Sequence, residues 1–99
     1  MAPEIINNLD KIIEACKEFQ LSSLYVVGSA ARNIDYTANS DIDLLFKRNA
    51  TKIEYDVFDL THYFEKIIGK KVDMINEDGI KNKYFLKSLL EDRIKLYEA

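Results

Sequence analysis

Two short stretches decide how this chain reads: Gly28-Ser29-Ala30-Ala31-Arg32 and Ser40-Asp41-Ile42-Asp43-Leu44-Leu45-Phe46. The first follows an apolar run, Leu24-Tyr25-Val26-Val27, with the length and composition of a buried strand. A Gly-Ser corner at the end of such a strand leaves backbone N–H groups open to an anion, because no Cβ stands in the way. The second stretch opens another strand with two carboxylates. Residues i and i+2 of a strand share a face, with Cβ atoms about 6.5–7 Å apart at a rise near 3.3 Å per residue. Asp41 and Asp43, on one face beside apolar Leu44 and Leu45, repel each other unless a cation lies between them. Their hard oxygens suit Mg²⁺, which takes one or two carboxylates together with substrate phosphates. A lone Asp-x-Asp or Gly-Ser is common at solvated strand ends and turns. Both together, each on its own strand and separated by a short link, point to a phosphate cradle beside a metal clamp.

The flanking sequence gives these strands a frame. Ile5, Ile6, Leu9, Ile12, Ile13, Cys16 and Phe19 recur at three- and four-residue steps, which predicts one amphipathic helix from about Pro3 to Phe19. The first strand follows over about Ser23–Val27, then a helical turn over Gly28–Arg32 and a polar loop over Asn33–Ser40. The second strand is expected over Asp41–Lys47, antiparallel to the first because only a short link joins them. A polar link over residues 48–51 leads to a second amphipathic helix, about Tyr55–Ile68, built on Val57, Leu60, Phe64, Ile67 and Ile68. Gly69 is a natural stop for it, with Lys70 and Lys71 near its negative end. Val72, Met74 and Ile75 form a third strand containing Asp73. A right-handed crossover makes this strand parallel to the second and brings Asp73 to the same sheet end as Asp41 and Asp43. After a turn at Asn76–Gly79, residues 80–90 read as a helix with Phe85, Leu86, Leu89 and Leu90 facing inward. Arg93–Tyr97 alternates as a short edge strand does, and equally continues the helix. The fold class expected is α/β (α+β), a small mixed β-sheet flanked by helices.

At the quoted residues the sequence resembles the polymerase-β-like nucleotidyltransferases, and within them the minimal nucleotidyltransferases. Gly28-Ser29-x-Ala31-Arg32 followed by Ser40-Asp41-Ile42-Asp43-Leu44 is similar to the family signature. Phe58-Asp59-Leu60 running to Lys71-Val72-Asp73-Met74-Ile75 resembles its helix and third-carboxylate strand, and the tail from Leu89 to Tyr97 resembles its ending. The chain departs from the pattern where Asn33 replaces the usual Gly, and the gap from Ser29 to Asp41 is one residue longer than the commonest spacing. Asn accepts left-handed backbone better than most residues, which suits it to that turn.

The resemblance implies transfer of a nucleoside monophosphate, AMP from ATP as the leading case, with release of pyrophosphate. It implies Asp41, Asp43 and Asp73 as catalytic and Mg²⁺-binding residues, and Gly28, Ser29, Arg32 and Ser40 as nucleotide-binding residues. Arg32 reads equally as a phosphate ligand or as the partner of Asp35. It implies a HEPN-domain toxin as partner, with this chain as the antitoxin that adenylylates it. A non-catalytic module that neutralises such a partner by contact is the alternative from another class. A small-molecule transferase of the antibiotic-modifying kind is the third, set back by the lack of room for a helical domain over the acceptor.

Composition narrows the rest. Ninety-nine residues fit one domain over 1–99, and a net charge of −3 argues against direct nucleic-acid binding. Cys16 is the one cysteine and reads as a small core hydrophobe. His62 reads as a solvated helix residue, Lys81, Lys83 and Lys87 as a solvated face, and Tyr36 as either a base-stacking ring or a cover for the core edge. With no basic leader and no membrane-length apolar run, the expectation is a cytoplasmic protein.

Overall fold

The computed structural model describes residues 1–49 and 56–99. Its elements are α1 (Pro3–Ile6), α2 (Leu9–Glu18), β1 (Leu21–Val27), α3 (Gly28–Arg32), β2 (Ile42–Arg48), α4 (Val57–Ile68), β3 (Val72–Asn76), a 3-10 turn (Glu77–Gly79), α5 (Lys83–Glu91) and β4 (Ile94–Glu98). The strands form one mixed sheet in the order β3-β2-β1-β4. β1 pairs antiparallel with β2 and β4, while β2 and β3 are parallel, as the crossover argument requires. Of the expected link over residues 48–51, Arg48 ends β2 and Asn49 follows it; the rest of the link and the expected start of α4 at Tyr55 lie outside the described residues.

Strand alternation sorts the side chains. Leu24 pairs with Phe46, Val26 with Leu44, and Leu44 with Met74, so these residues line one face. There they join Ile12 and Cys16 of α2 and Leu60, Phe64 and Ile68 of α4 in the main core. Fully burying one such side chain contributes about 1.5–3 kcal/mol. Burial pushes the Cys16 thiol up to about 12, which leaves it an inert core residue. The intervening positions point to the other face: Tyr25 opposite Leu45 and Val27 opposite Asp43 on β1–β2, with Ile75 and Asp73 alongside on β3.

Four sequence expectations are corrected. The first helix is two helices, because Asn8 turns its side chain back to donate to the Glu4 carbonyl at 2.8 Å and takes φ −122°, outside helical geometry. β1 starts earlier than expected, at Leu21, through a turn at Gln20 with φ 55° and a register shift between Leu21 and Ser23. β2 begins one residue after Asp41, where the Ile42 amide donates to the Lys71 carbonyl at 3.0 Å. α5 begins at Lys83, where the Asn82 side chain accepts from the amides of Tyr84 and Phe85. Its apolar stripe is only half covered: Leu86, Leu89 and Leu90 are half-buried and Phe85 is 48 % exposed. The tail forms the edge strand β4, which settles the strand-or-helix question for that segment.

Asn33 caps α3 with φ 58° and ψ 27°, the left-handed geometry that Asn tolerates. Asn33→Ala is expected to lower stability by roughly 1–2 kcal/mol and Asn33→Gly to leave it close to wild type; urea unfolding measures both.

Candidate active site

The parallel β2–β3 register makes Asp43 the direct Cα partner of Asp73, and the antiparallel β1–β2 register puts Val27 on the other side of Asp43. The carboxylates therefore collect where β1 ends and β2 and β3 begin. α3 starts at the same place, with Gly28 directly after Val27. Gly28 has φ +68°, a conformation side chains disfavour, and a Cβ built on it would stand 2.9 Å from Asp43 Oδ2. The Asp43 carboxylate thus lies against the backbone of the Gly-Ser corner, with no room for a side chain between them. The residue before α3 is Val27, which supplies no side-chain cap to the first-turn amides.

The electrostatics match this crowding. Burial first, then Asp73, then Asp41 raise the pKa of Asp43 from its ordinary value. Asp43 is half-buried, whereas Asp41 and Asp73 are exposed. A partly desolvated carboxylate flanked by two others gains from a cation. Among the described residues no group of three carboxylate, imidazole or thiol side chains converges tightly enough to enclose a metal ion.

The other sequence-derived positions divide. Gly28 and Ser29 stand at the carboxylate end, both half-buried. Ser40 precedes Asp41, but its hydroxyl closes a turn by accepting from the Thr37 amide at 2.9 Å. Arg32 lies at the far end of α3, where its guanidinium reaches Asp35 at 3.4 Å and Asp92 at 3.3 Å. The pairing with Asp35 was one of its two readings; Asp92, sixty positions away, is a tertiary partner that local sequence does not show. Tyr36 packs against the core edge and its hydroxyl accepts from Lys70 at 2.6 Å. His62 is exposed on α4. Sequence reasoning missed Lys70, which it took only as a charge complementing the end of α4.

A strand-turn-helix corner thus sets a glycine backbone against one carboxylate of a three-aspartate group. The model of the family described as "Nucleotidyltransferase domain" matches residues 9–96. A Methanocaldococcus jannaschii relative named "Putative protein adenylyltransferase" is 35 % identical over 91 residues, covering 92 % of this chain and 90 % of its own. Another relative of that name and organism is 37 % identical over 93 residues, with the same coverage. Among solved structures, one described as a "putative minimal nucleotidyltransferase" superposes with a TM-score of 0.78 at 24 % identity, covering 95 % of both chains. A toxin–antitoxin structure with AMP-PNP gives a TM-score of 0.73 at 18 % identity, covering 93 % of this chain and 74 % of that one. A chain from the complex of a tri-AMPylated Shewanella oneidensis HEPN toxin with its MNT antitoxin gives 0.68 at 15 % identity, covering 95 % and 72 %. The chain belongs to the nucleotidyltransferase domain family, a family of enzymes, and carries its α+β fold. Among the described residues no helix is long and apolar enough to cross a membrane.

Proposed function

We propose that this chain transfers AMP from ATP to a hydroxyl side chain of a partner protein, and that the partner is a HEPN-type toxin for which this chain is the antitoxin. The observation that carries the reading is the pairing of Asp43 with Asp73 beside the Gly28 backbone. It is supported by relatives named as protein adenylyltransferases and by the likeness in fold to chains solved in toxin–antitoxin complexes.

Asp41, Asp43 and Asp73 would hold Mg²⁺, which when bound neutralises charge on the phosphates and favours an in-line displacement. Backbone amides of the Gly28-Ser29 corner and the Ser29 hydroxyl bind the triphosphate oxygens. Ser40 contributes from the turn before Asp41. Arg32 reaches the phosphates by exchanging its partly exposed contacts with Asp35 and Asp92, which hold it weakly in water. The acceptor oxygen bonds to the α-phosphorus as the bond from that phosphorus to the β-phosphate bridging oxygen breaks. Pyrophosphate leaves with the electron pair, and Asp73 takes the hydroxyl proton and passes it to solvent. The partner supplies the acceptor and, by covering the carboxylate end, excludes water.

The test mixes this chain, a candidate HEPN-type partner protein, ATP and Mg²⁺, followed by mass spectrometry of both proteins. The expected result is a gain of one or more adenylyl groups on the partner, lost with Asp41→Asn. Stable binding without a mass gain would replace this reading with neutralisation by contact. Efficient modification of a small molecule by this chain alone would replace it with a small-molecule transferase.

A further inference from the structure

The loop from Asn33 to Ser40 ends on Asp41, and its last part is a closed turn. The Thr37 amide donates to Ser40 Oγ at 2.9 Å, the Ser40 amide donates to the Thr37 carbonyl at 3.1 Å, and the two hydroxyls lie 3.2 Å apart. Such a turn is stiff within itself. Its end at Asp41 is anchored through the Ile42 amide on the Lys71 carbonyl at 3.0 Å, and one side chain holds the body of the turn. Lys70 Nζ donates to the Thr37 carbonyl at 2.9 Å and to the Tyr36 hydroxyl at 2.6 Å, and pairs with Glu4 at 3.6 Å.

Lys70 stands in the short link between Gly69, the cap of α4, and β3, three residues before Asp73. It thus ties the segment that carries Asp41 to the segment that carries Asp73. Its side chain is 12 % exposed, and its bond to the Tyr36 hydroxyl is partly buried, whereas its bond to the Thr37 carbonyl is exposed. Glu4 completes the arrangement from α1. Its Oε1 is buried without a hydrogen-bond partner, while its Oε2 faces the ammonium. A buried carboxylate oxygen costs free energy, which the neighbouring ammonium offsets.

We infer that Lys70 is a positioning residue, which clamps the Thr37–Ser40 turn to the foot of β3 and so fixes Asp41 relative to Asp73 and Asp43. The inference rests on the proposed reading of those carboxylates as the metal-nucleotide site. Preorganised ligands bind without first being collected, so loosening the clamp weakens metal binding while the fold persists.

The experiment uses the full chain and Mn²⁺, titrated by electron paramagnetic resonance of the free ion in the presence of a non-hydrolysable ATP analogue. Thermal midpoints are measured on the same samples. Lys70→Ala is expected to raise the half-saturating Mn²⁺ concentration by about 10-fold, the lower end of the range for groups that orient metal ligands. Lys70→Arg, which keeps the cation and its donors, recovers most of that loss. Glu4→Gln removes the counter-charge but leaves both loop contacts; it lowers the midpoint and leaves Mn²⁺ binding near wild type. Where Lys70→Ala does not fold, Tyr36→Phe deletes one loop contact and gives a smaller shift in the same direction. Unchanged Mn²⁺ binding in folded Lys70→Ala, or in Tyr36→Phe where that variant stands in, overturns the clamp alone. Failure of the wild-type chain to bind Mn²⁺ with the nucleotide overturns the site reading, and the clamp with it.

Discussion

Asp43→Asn is expected to abolish nucleotidyl transfer while leaving the thermal midpoint equal to or above that of the wild-type chain. The two effects have one cause. Asp43 is half-buried, and burial, Asp73 and Asp41 all disfavour its ionised form. A charge that the folded state resists is a liability for stability without a bound cation, and an amide of the same shape removes it. In the proposed function the same charge holds the metal-nucleotide, so its loss removes stabilisation at the transition state. Deleting one preorganised electrostatic contact of this kind costs about 10²–10³-fold in rate, and a metal ligand is expected to reach the upper end or beyond. Calorimetric unfolding and Mg²⁺-dependent ATP binding give the two readouts. A variant that unfolds, or one that binds Mg-ATP normally, contradicts the assignment.

Gly28→Val is the second large effect, and here stability and binding fall together. The residue sits at φ +68°, which costs a side-chain-bearing residue roughly 1–2 kcal/mol. In a domain of this size each kcal/mol corresponds to about 4–8 °C in thermal midpoint. The added Cβ also stands 2.9 Å from Asp43 Oδ2, so the carboxylate must swing aside. Nucleotide binding therefore suffers twice, through the blocked amides and through the displaced aspartate. Ser22→Ala, near the opposite end of β1, is the control and is expected to bind nucleotide normally. Equal binding by the two variants would remove the Gly-Ser corner from the site.

The parts of this molecule that were legible in its sequence are those written in local patterns. Apolar strand runs and a short link gave the antiparallel β1–β2 pair, and the α4 periodicity with Gly69 gave the crossover to a parallel β3. From these Asp73 was expected at the same sheet end as Asp41 and Asp43. Asn33 in left-handed geometry was equally readable, because the preference belongs to the residue itself. What was missed depends on contacts between distant positions. The break between α1 and α2 comes from one Asn8 side chain choosing a carbonyl over the helix pattern. Arg32 meets Asp92 only because the turn before β4 returns to the end of α3. Lys70 looked like a helix-end charge, and nothing near it in sequence shows that its ammonium reaches Tyr36, Thr37 and Glu4.

The carboxylate end of the sheet is proposed to move the nucleoside monophosphate of ATP, and not its terminal phosphate, onto a protein. The direct measurement gives the chain and the proposed HEPN-type partner ATP labelled either at the α-phosphate or at the γ-phosphate, with Mg²⁺, and follows protein-bound label alongside released pyrophosphate. Label is expected on the partner from α-labelled ATP only, matched by pyrophosphate and absent with Asp41→Asn. Label from γ-labelled ATP, or partner binding with no label from either, would contradict that transfer.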